Sequence, residues 1–463
     1  MSELILSEPE GPTTPLQAIF ARDLDAWLAD RSPLVRALAE TGKFTAKPGQ
    51  VLLLPGEDGG IARALVGFPQ DQISDLTTLR AVPARLPSGD YVYEDLPDGI
   101  DATGLAVTWA MGAYRFDRYK QKREPAPRLV APETADIEQA RARAHAAALA
   151  RDMINTPAND MGPLQMETIG REIAELFGAE ITVLTGDGLI EANYPAVHAV
   201  GRAAEPYRAP RFIEMTWGDE GKPGLVLVGK GVVFDTGGLD IKPSAGMRSM
   251  KKDMGGAALV LALGRMVMAA KLPVRLSILV PVVENAISGD AMRPGDILAS
   301  RKGLTIEVGN TDAEGRLILA DALARAGELN PDLTIDMATL TGAARVALGP
   351  QVTPFYTADD DLADALASAA RKLGDPLWRM PLWAGYDEAV DCEIADVRND
   401  PDAWAQAGSI TAALFLQRFA PTIGSWVHFD VFAWCAKPRP GYAAGGEAQA
   451  IHALFDVIRS RYV

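Results

Sequence analysis

Apolar residues fall along this chain in two rhythms. From Leu164 onward, short aliphatic and β-branched runs alternate with longer stretches of helical spacing. Ile181 to Leu184, Phe212 to Thr216, Leu225 to Val228, Leu276 to Val282, Thr305 to Val308 and Leu333 to Met337 predict strands. Leu164 to Phe177, Gly256 to Ala270 and Leu317 to Leu329 predict helices between them. This alternation implies an α/β fold with a central mixed sheet covered by helices. Ligands of such sheets bind beyond the carboxyl ends of the strands.

The earlier part of the chain reads as a smaller α/β unit. Leu16 to Leu28 carries helical spacing, and Val51 to Leu54 and Ala64 to Phe68 are short apolar runs. Lys120 to Pro132 is charged and holds prolines at 125, 127 and 132, which suits a linker. Ala135 to Met153, dense in Ala, Arg and Leu, predicts a helix that stops near Asn155-Thr156-Pro157 and joins the halves. The expected division is an N-terminal α/β domain and linker at 1–132 and a larger α/β domain at 133–463.

Composition narrows the function. With 45 Lys+Arg against 61 Asp+Glu the net charge is −16. That charge repels phosphate backbones and argues against nucleic acid as a partner. The one short basic run, Lys120 to Arg123, is better explained as solvated linker. Two distant cysteines, Cys392 and Cys435, suggest neither a disulfide framework nor a thiolate metal site. Met1 to Glu10 lacks the basic and apolar regions of a signal peptide, and Ala257 to Ala270, the longest apolar stretch, is too short for a membrane span. A cytoplasmic protein is expected.

Two polar clusters stand at strand ends. Gly229 to Gly238 follows the run Leu225 to Val228 and carries Lys230 and Asp235; Lys242 and then Met250 to Gly256, with Asp253, lie downstream. A glycine-rich loop with solvated charges is the plainer reading of this segment alone, and it lacks the order of a phosphate loop. The second cluster, Asn310-Thr311-Asp312-Ala313-Glu314-Gly315-Arg316-Leu317, precedes an apolar helix. If extended, it puts Asn310, Asp312, Glu314 and Arg316 on one side; a plain acidic helix boundary is the alternative. The four histidines, His145, His198, His428 and His452, form no H-E-x-x-H pattern, and there is no G-x-S-x-G elbow. Four carboxylates suit two divalent cations that share oxygens.

The segment N-T-D-A-E-G-R-L at 310–317 resembles the signature of the leucyl aminopeptidases, also called cytosol aminopeptidases. Gly229 to Gly238, Lys242, Met250 to Gly256, Ser288 to Asp296, Ala338 to Ala343 and Gly408 to Thr411 match the same family in content and spacing. The similarity runs from Asn155 to Asp430 and is weak before it.

The resemblance implies a metal-dependent aminopeptidase that releases N-terminal residues from peptides, with a hydroxide bridging two metal ions as nucleophile. One ion would be held by Asp235, Asp312 and Glu314, the other by Lys230, Asp235, Asp253 and Glu314, with zinc, manganese or magnesium as the metal. Lys230 would bind as a neutral amine. Lys242 would stabilise the oxyanion, and Arg316 would hold a bicarbonate that shuttles the proton. Met250, Thr339, Leu340, Gly342, Phe432 and Cys435 would contact the substrate. Phe432 stands where better-known members have a small residue and Cys435 where they have Met, so side chains smaller than Leu or differently shaped are expected to be favoured. The resemblance also implies a homohexamer. A regulatory DNA-binding or scaffold protein on the same fold is the alternative, and it would need a basic face.

Overall fold

Aliphatic and β-branched runs become strands where neighbouring segments supply backbone partners, and those partners here lie far apart in sequence. The computed structural model describes residues 4–69, 76–120, 124–401 and 406–463. The chain forms two compact units. One comprises Met1–Ala148, Ala370–Gly374 and Cys435–Ala444; the other comprises Leu149–Ala369, Asp375–Trp434 and Gly445–Val463.

The first unit holds a six-stranded sheet of β1 (Ile5–Leu6), β2 (Thr13–Phe20), β3 (Val51–Pro55), β4 (Ile61–Phe68), β5 (Asp90–Tyr93) and β6 (Arg128–Val130). Their order is β1-β6-β5-β2-β4-β3, and only the β3–β4 pair is antiparallel. The helix expected over Leu16 to Leu28 is corrected here, because the chain stays extended to Phe20 and is α-helical only over Leu24–Ala29. Leu16 and Ile19, three apart and both buried, imitate a helical stripe. Pairing of β2 with β4 on one side and β5 on the other overrides that local period. Within the segment read as linker, Arg128–Val130 forms β6 between β1 and β5. The basic run at its start falls on residues 121–123, outside the described residues.

The helix Ile137–Asn155 follows, and the second unit's strands come after it. They are β7 (Glu180–Thr185), β8 (Arg211–Trp217), β9 (Gly224–Gly229), β10 (Gly231–Asp235), β11 (Arg275–Asn285), β12 (Ile297–Ala299), β13 (Thr305–Glu307), β14 (Leu333–Ala338), β15 (Thr353–Tyr356), β16 (Leu377–Arg379), β17 (Val397–Arg398) and β18 (Ser425–Asp430). The main sheet is mixed, in the order β16-β15-β18-β14-β9-β11-β8-β7, with β10 also paired to β11. β12, β13 and β17 form a separate small sheet. All six strand runs and three helices read from the pattern are present, with no end shifted by more than three residues.

Helices cover both faces of the main sheet. Alternate residues of β9 face opposite ways: Leu227 meets the helix Gly255–Ala269, while Val226 and Val228 join the core of the helix Glu314–Glu328. The first of these helices lies so close to β14 that a Cβ at Gly256 would stand 2.0 Å from the carbonyl oxygen of Met337. Among the described residues, no helix is long and apolar enough to cross a membrane.

That close approach generates a prediction. Alanine ordinarily stabilises a helix interior by about 1 kcal/mol relative to glycine. Gly256→Ala is instead expected to destabilise by about 1–3 kcal/mol, the usual cost of overpacking. Urea denaturation measures it, and a stabilised variant would contradict the packing described.

Candidate active site and metal centre

Strand direction delivers the site. β9, β14 and β18 run parallel, and beyond their carboxyl ends stand Lys230, Thr339 and, as the last residue of β18, Asp430. β10 runs parallel to β11 and ends at Asp235. The fourth contribution comes from the turn after β13 and the helix Glu314–Glu328. The extended reading of Asn310 to Arg316 is corrected: Glu314 and Arg316 lie in the helix's first turn, after Ala313 at its N-cap. Gly315 is required because a Cβ there would come within 2.6 Å of the Lys230 side chain.

Four carboxylates and two ammonium groups interleave in this space. Lys230 Nζ lies 2.7 Å from Asp253 Oδ2 and 2.9 Å from Glu314 Oε1, and donates to the carbonyl of Thr339 at 3.0 Å. Lys242 Nζ lies 2.7 Å from Asp235 Oδ2 and also contacts Asp312. Oxygens of Asp235, Asp312 and Glu314 all fall within 4.8 Å of one another. Lys230, Asp235, Asp253 and Glu314 are at most 3% exposed.

The electrostatics are those of cation ligands awaiting charge. Burial, and next the charge of Asp235, lifts Glu314 to about 8 and Asp312 to about 6. Burial alone would lower Lys230, but Asp253, Glu314 and Asp235 hold it above the ordinary lysine range. Burial likewise opposes Lys242, which Asp235 and Asp312 nonetheless hold high. Both oxygens of Glu314 are buried without a hydrogen bond, since the nearby Lys230 ammonium approaches at an unsuitable angle. Oxygens of Glu314 and Asp312 without a hydrogen bond, converging with Asp235, fit divalent cations well.

The remaining expected residues are placed as follows. A cavity of about 270 Å³ is lined by Lys230, Asp235, Lys242, Asp253, Asp312 and Arg316 together with Met250, Thr339, Leu340, Gly342 and Phe432. Arg316 is 7% exposed, and its Nε and one terminal nitrogen are buried without a hydrogen bond. Cys435 does not line this cavity; its thiol donates to the carbonyl of Lys437.

Several residues that hold the site were not singled out from sequence. Asn285 donates to Asp235 Oδ1 at 2.8 Å and to the carbonyl of Thr311 at 3.1 Å. Asn399, fully buried, accepts from the N–H groups of Gly309 and Asn310 and donates to the carbonyls of Asn310 and Ala313. It thereby clamps the turn that carries Asp312. Asp430 accepts from the N–H groups of Leu340 and Thr341 and from the Thr341 hydroxyl, fixing the cavity wall at 339–342. No local motif marks these three; each comes from a strand or strand end remote in sequence.

Comparison with known proteins agrees with this geometry. Residues 148–455 match the family described as cytosol aminopeptidase family, catalytic domain, and residues 14–132 match M17 aminopeptidase, N-terminal domain. A "Probable cytosol aminopeptidase" of Syntrophotalea carbinolica is 42% identical over 450 residues, covering 90% of this chain and 89% of the relative. The cytosol aminopeptidase of Coxiella burnetii superposes with a TM-score of 0.93 at 39% identity, over 99% of this chain and 100% of that one. A bottromycin maturation enzyme, BotP, in complex with Mn superposes with a TM-score of 0.87 at 33% identity, over 98% and 100%. The chain belongs to the cytosol, or leucyl, aminopeptidase family. It has that family's N-terminal α/β and C-terminal catalytic domains, and it is a metal-dependent aminopeptidase.

Asn399 gives the prediction of this geometry. Asn399→Ala frees the turn around Asp312, and affinity for a divalent ion is expected to fall about 10–100-fold, as for other groups that orient ligands. Titration against a competing chelator measures it; unchanged affinity would mean the turn holds itself.

Proposed function

We propose that Asp235, Asp253, Asp312 and Glu314, with Lys230, hold two divalent cations, of zinc, manganese or magnesium, at which N-terminal residues are cleaved from peptides. The observation that carries this reading is Glu314, whose two buried oxygens lack hydrogen bonds within a cluster of acids. Cations bound there supply the charge that makes water nucleophilic near neutral pH and grips the free α-amine. Everything else falls to the chain.

Lys242, whose Nζ stands beside Asp235 and Asp312, would donate an N–H toward the oxyanion that develops at the scissile carbonyl. The unpaired Arg316 nitrogens suit a small planar anion, and bicarbonate there would carry a proton to the leaving amine. The 339–342 segment, held by Asp430 and Lys230, receives the substrate backbone on an already rigid wall. Met250, Thr339, Gly342 and Phe432 bound the first side chain. The family resemblance and relatives named cytosol aminopeptidase support a cytoplasmic homohexamer, which light scattering tests; a stable, active monomer would contradict it. They also support a division of the chain at 132–133.

Chelation is expected to abolish hydrolysis of aminoacyl arylamides, with recovery on adding Mn²⁺, Zn²⁺ or Mg²⁺. Asp312→Asn should lower metal content by elemental analysis; full occupancy at wild-type rate would refute its role as ligand. Lys242→Ala is expected to keep the metals while kcat falls about 10²-fold or more, the scale of losing one oxyanion donor. An unchanged kcat with raised KM would move Lys242 to ground-state binding.

A further inference from the structure

One lysine of the cavity is left over from the cation-binding cluster. Lys252 is 5% exposed and lines the cavity. Its Nζ lies 3.6 Å from Asp253 Oδ1, beyond hydrogen-bond reach, and among the described residues it makes no hydrogen bond. Asp253 is already engaged: Oδ1 accepts from the Thr339 hydroxyl at 2.8 Å, and Oδ2 lies 2.7 Å from Lys230. A buried ammonium that makes no hydrogen bond and shares one long ion pair is costly unless a ligand completes it.

A second cation converges on the same place. Arg345 lines the cavity, and its guanidinium stands 4.5 Å from the centre of the Phe432 ring, while Lys252 Nζ stands 5.5 Å from that centre. Arg345 bears on Lys252 with like charge. Among the described residues, the Arg345 side chain has no hydrogen bond or ion pair. The acids of the cavity serve these two little: Lys252 has only the long pair with Asp253. Asp235, Asp253, Asp312 and Glu314 turn to the cation cluster, and Asp400 acts on Arg316. Two cations beside one aromatic ring, one with a single long ion pair and the other with none, make a receptor for a negative group.

We propose that Lys252 and Arg345, both beside the Phe432 ring, bind the side-chain carboxylate of an N-terminal Glu or Asp, so that acidic residues are released in preference to their neutral isosteres. This rests on the aminopeptidase reading, in which Phe432 bounds the first side chain. Distance favours a side chain over the far end of the peptide. Only the Asp253 carboxylate separates Lys252 from Lys230, so an anion at Lys252 sits about one side chain from the cluster that grips the α-amine. Phe432 then limits bulk while the cations select charge, which refines the expectation of small or differently shaped residues.

The test uses the metal-loaded enzyme on Glu-, Gln-, Leu- and Ala-arylamides, which carry no peptide C-terminus. A charge-assisted pair is expected to favour Glu over Gln by about tenfold or more in kcat/KM. The Glu-to-Gln ratio should collapse toward one in Lys252→Met, fall partway in Arg345→Gln, and return in Lys252→Arg. Because each ratio is taken within one variant, a general loss of activity cancels. Calorimetry should show free glutamate binding more tightly than glutamine, independently of turnover. A wild-type ratio near or below one, with Leu-arylamide still cleaved, overturns the proposal and leaves the aminopeptidase reading intact. So does a preference for Leu-Ala over its C-terminal amide that Lys252→Met removes, since the carboxylate bound would then be the peptide's own terminus. No turnover of any arylamide by the loaded enzyme would instead overturn the reading beneath it.

Discussion

Four carboxylates gathered in one cavity, three of them buried, cannot all remain charged without cations among them. That constraint organises the second unit of this chain. Lys230 and Lys242 stand between the acids, and Gly315 is bare so that the Lys230 side chain can lie against the first turn of its helix. Glu314 nevertheless keeps both oxygens without a hydrogen bond and rises to about 8. The folded scaffold, built from many buried apolar contacts, holds these like charges together and leaves the deficit for divalent ions to fill.

Rigidity around the cluster comes from hydrogen bonds placed one layer out. Asn285 spans Asp235 and Thr311, Asn399 clamps the turn on both sides of Asp312, and Asp430 fixes the wall beside the cavity. The Thr311 hydroxyl donates to the carbonyl of Gly237 and its N–H donates to Asp240, tying the loop after β10 to the loop after β13. Asp235 and the turn that carries Asp312 are therefore oriented before any cation arrives, which lowers the reorganisation needed on binding and reaction.

The chemistry-bearing residues were legible because they cluster locally, just after apolar runs, where a strand must end and a polar loop begin. Lys230, Asp235 and Asp312 are of this kind. Asn285, Asn399 and Asp430 were not legible, since an asparagine at a strand end has no local signature; its role exists only once remote strands are neighbours. The same physics explains the misread elements. Leu16 and Ile19 mimic a helix until β4 and β5 pair on both sides. Asn310 to Arg316 alternates like a strand, yet the helix opens at Glu314.

The central claim is that the acids of this cluster are ligands to two cations, and anomalous diffraction from crystals soaked in Mn²⁺ tests it most directly. The account predicts two anomalous peaks enclosed by Asp235, Asp253, Asp312 and Glu314, with Lys230 Nζ drawn from its ion pairs onto one of them. Crystals that show no peak there at saturating Mn²⁺, with Lys230 still paired to Asp253 and Glu314, would contradict it.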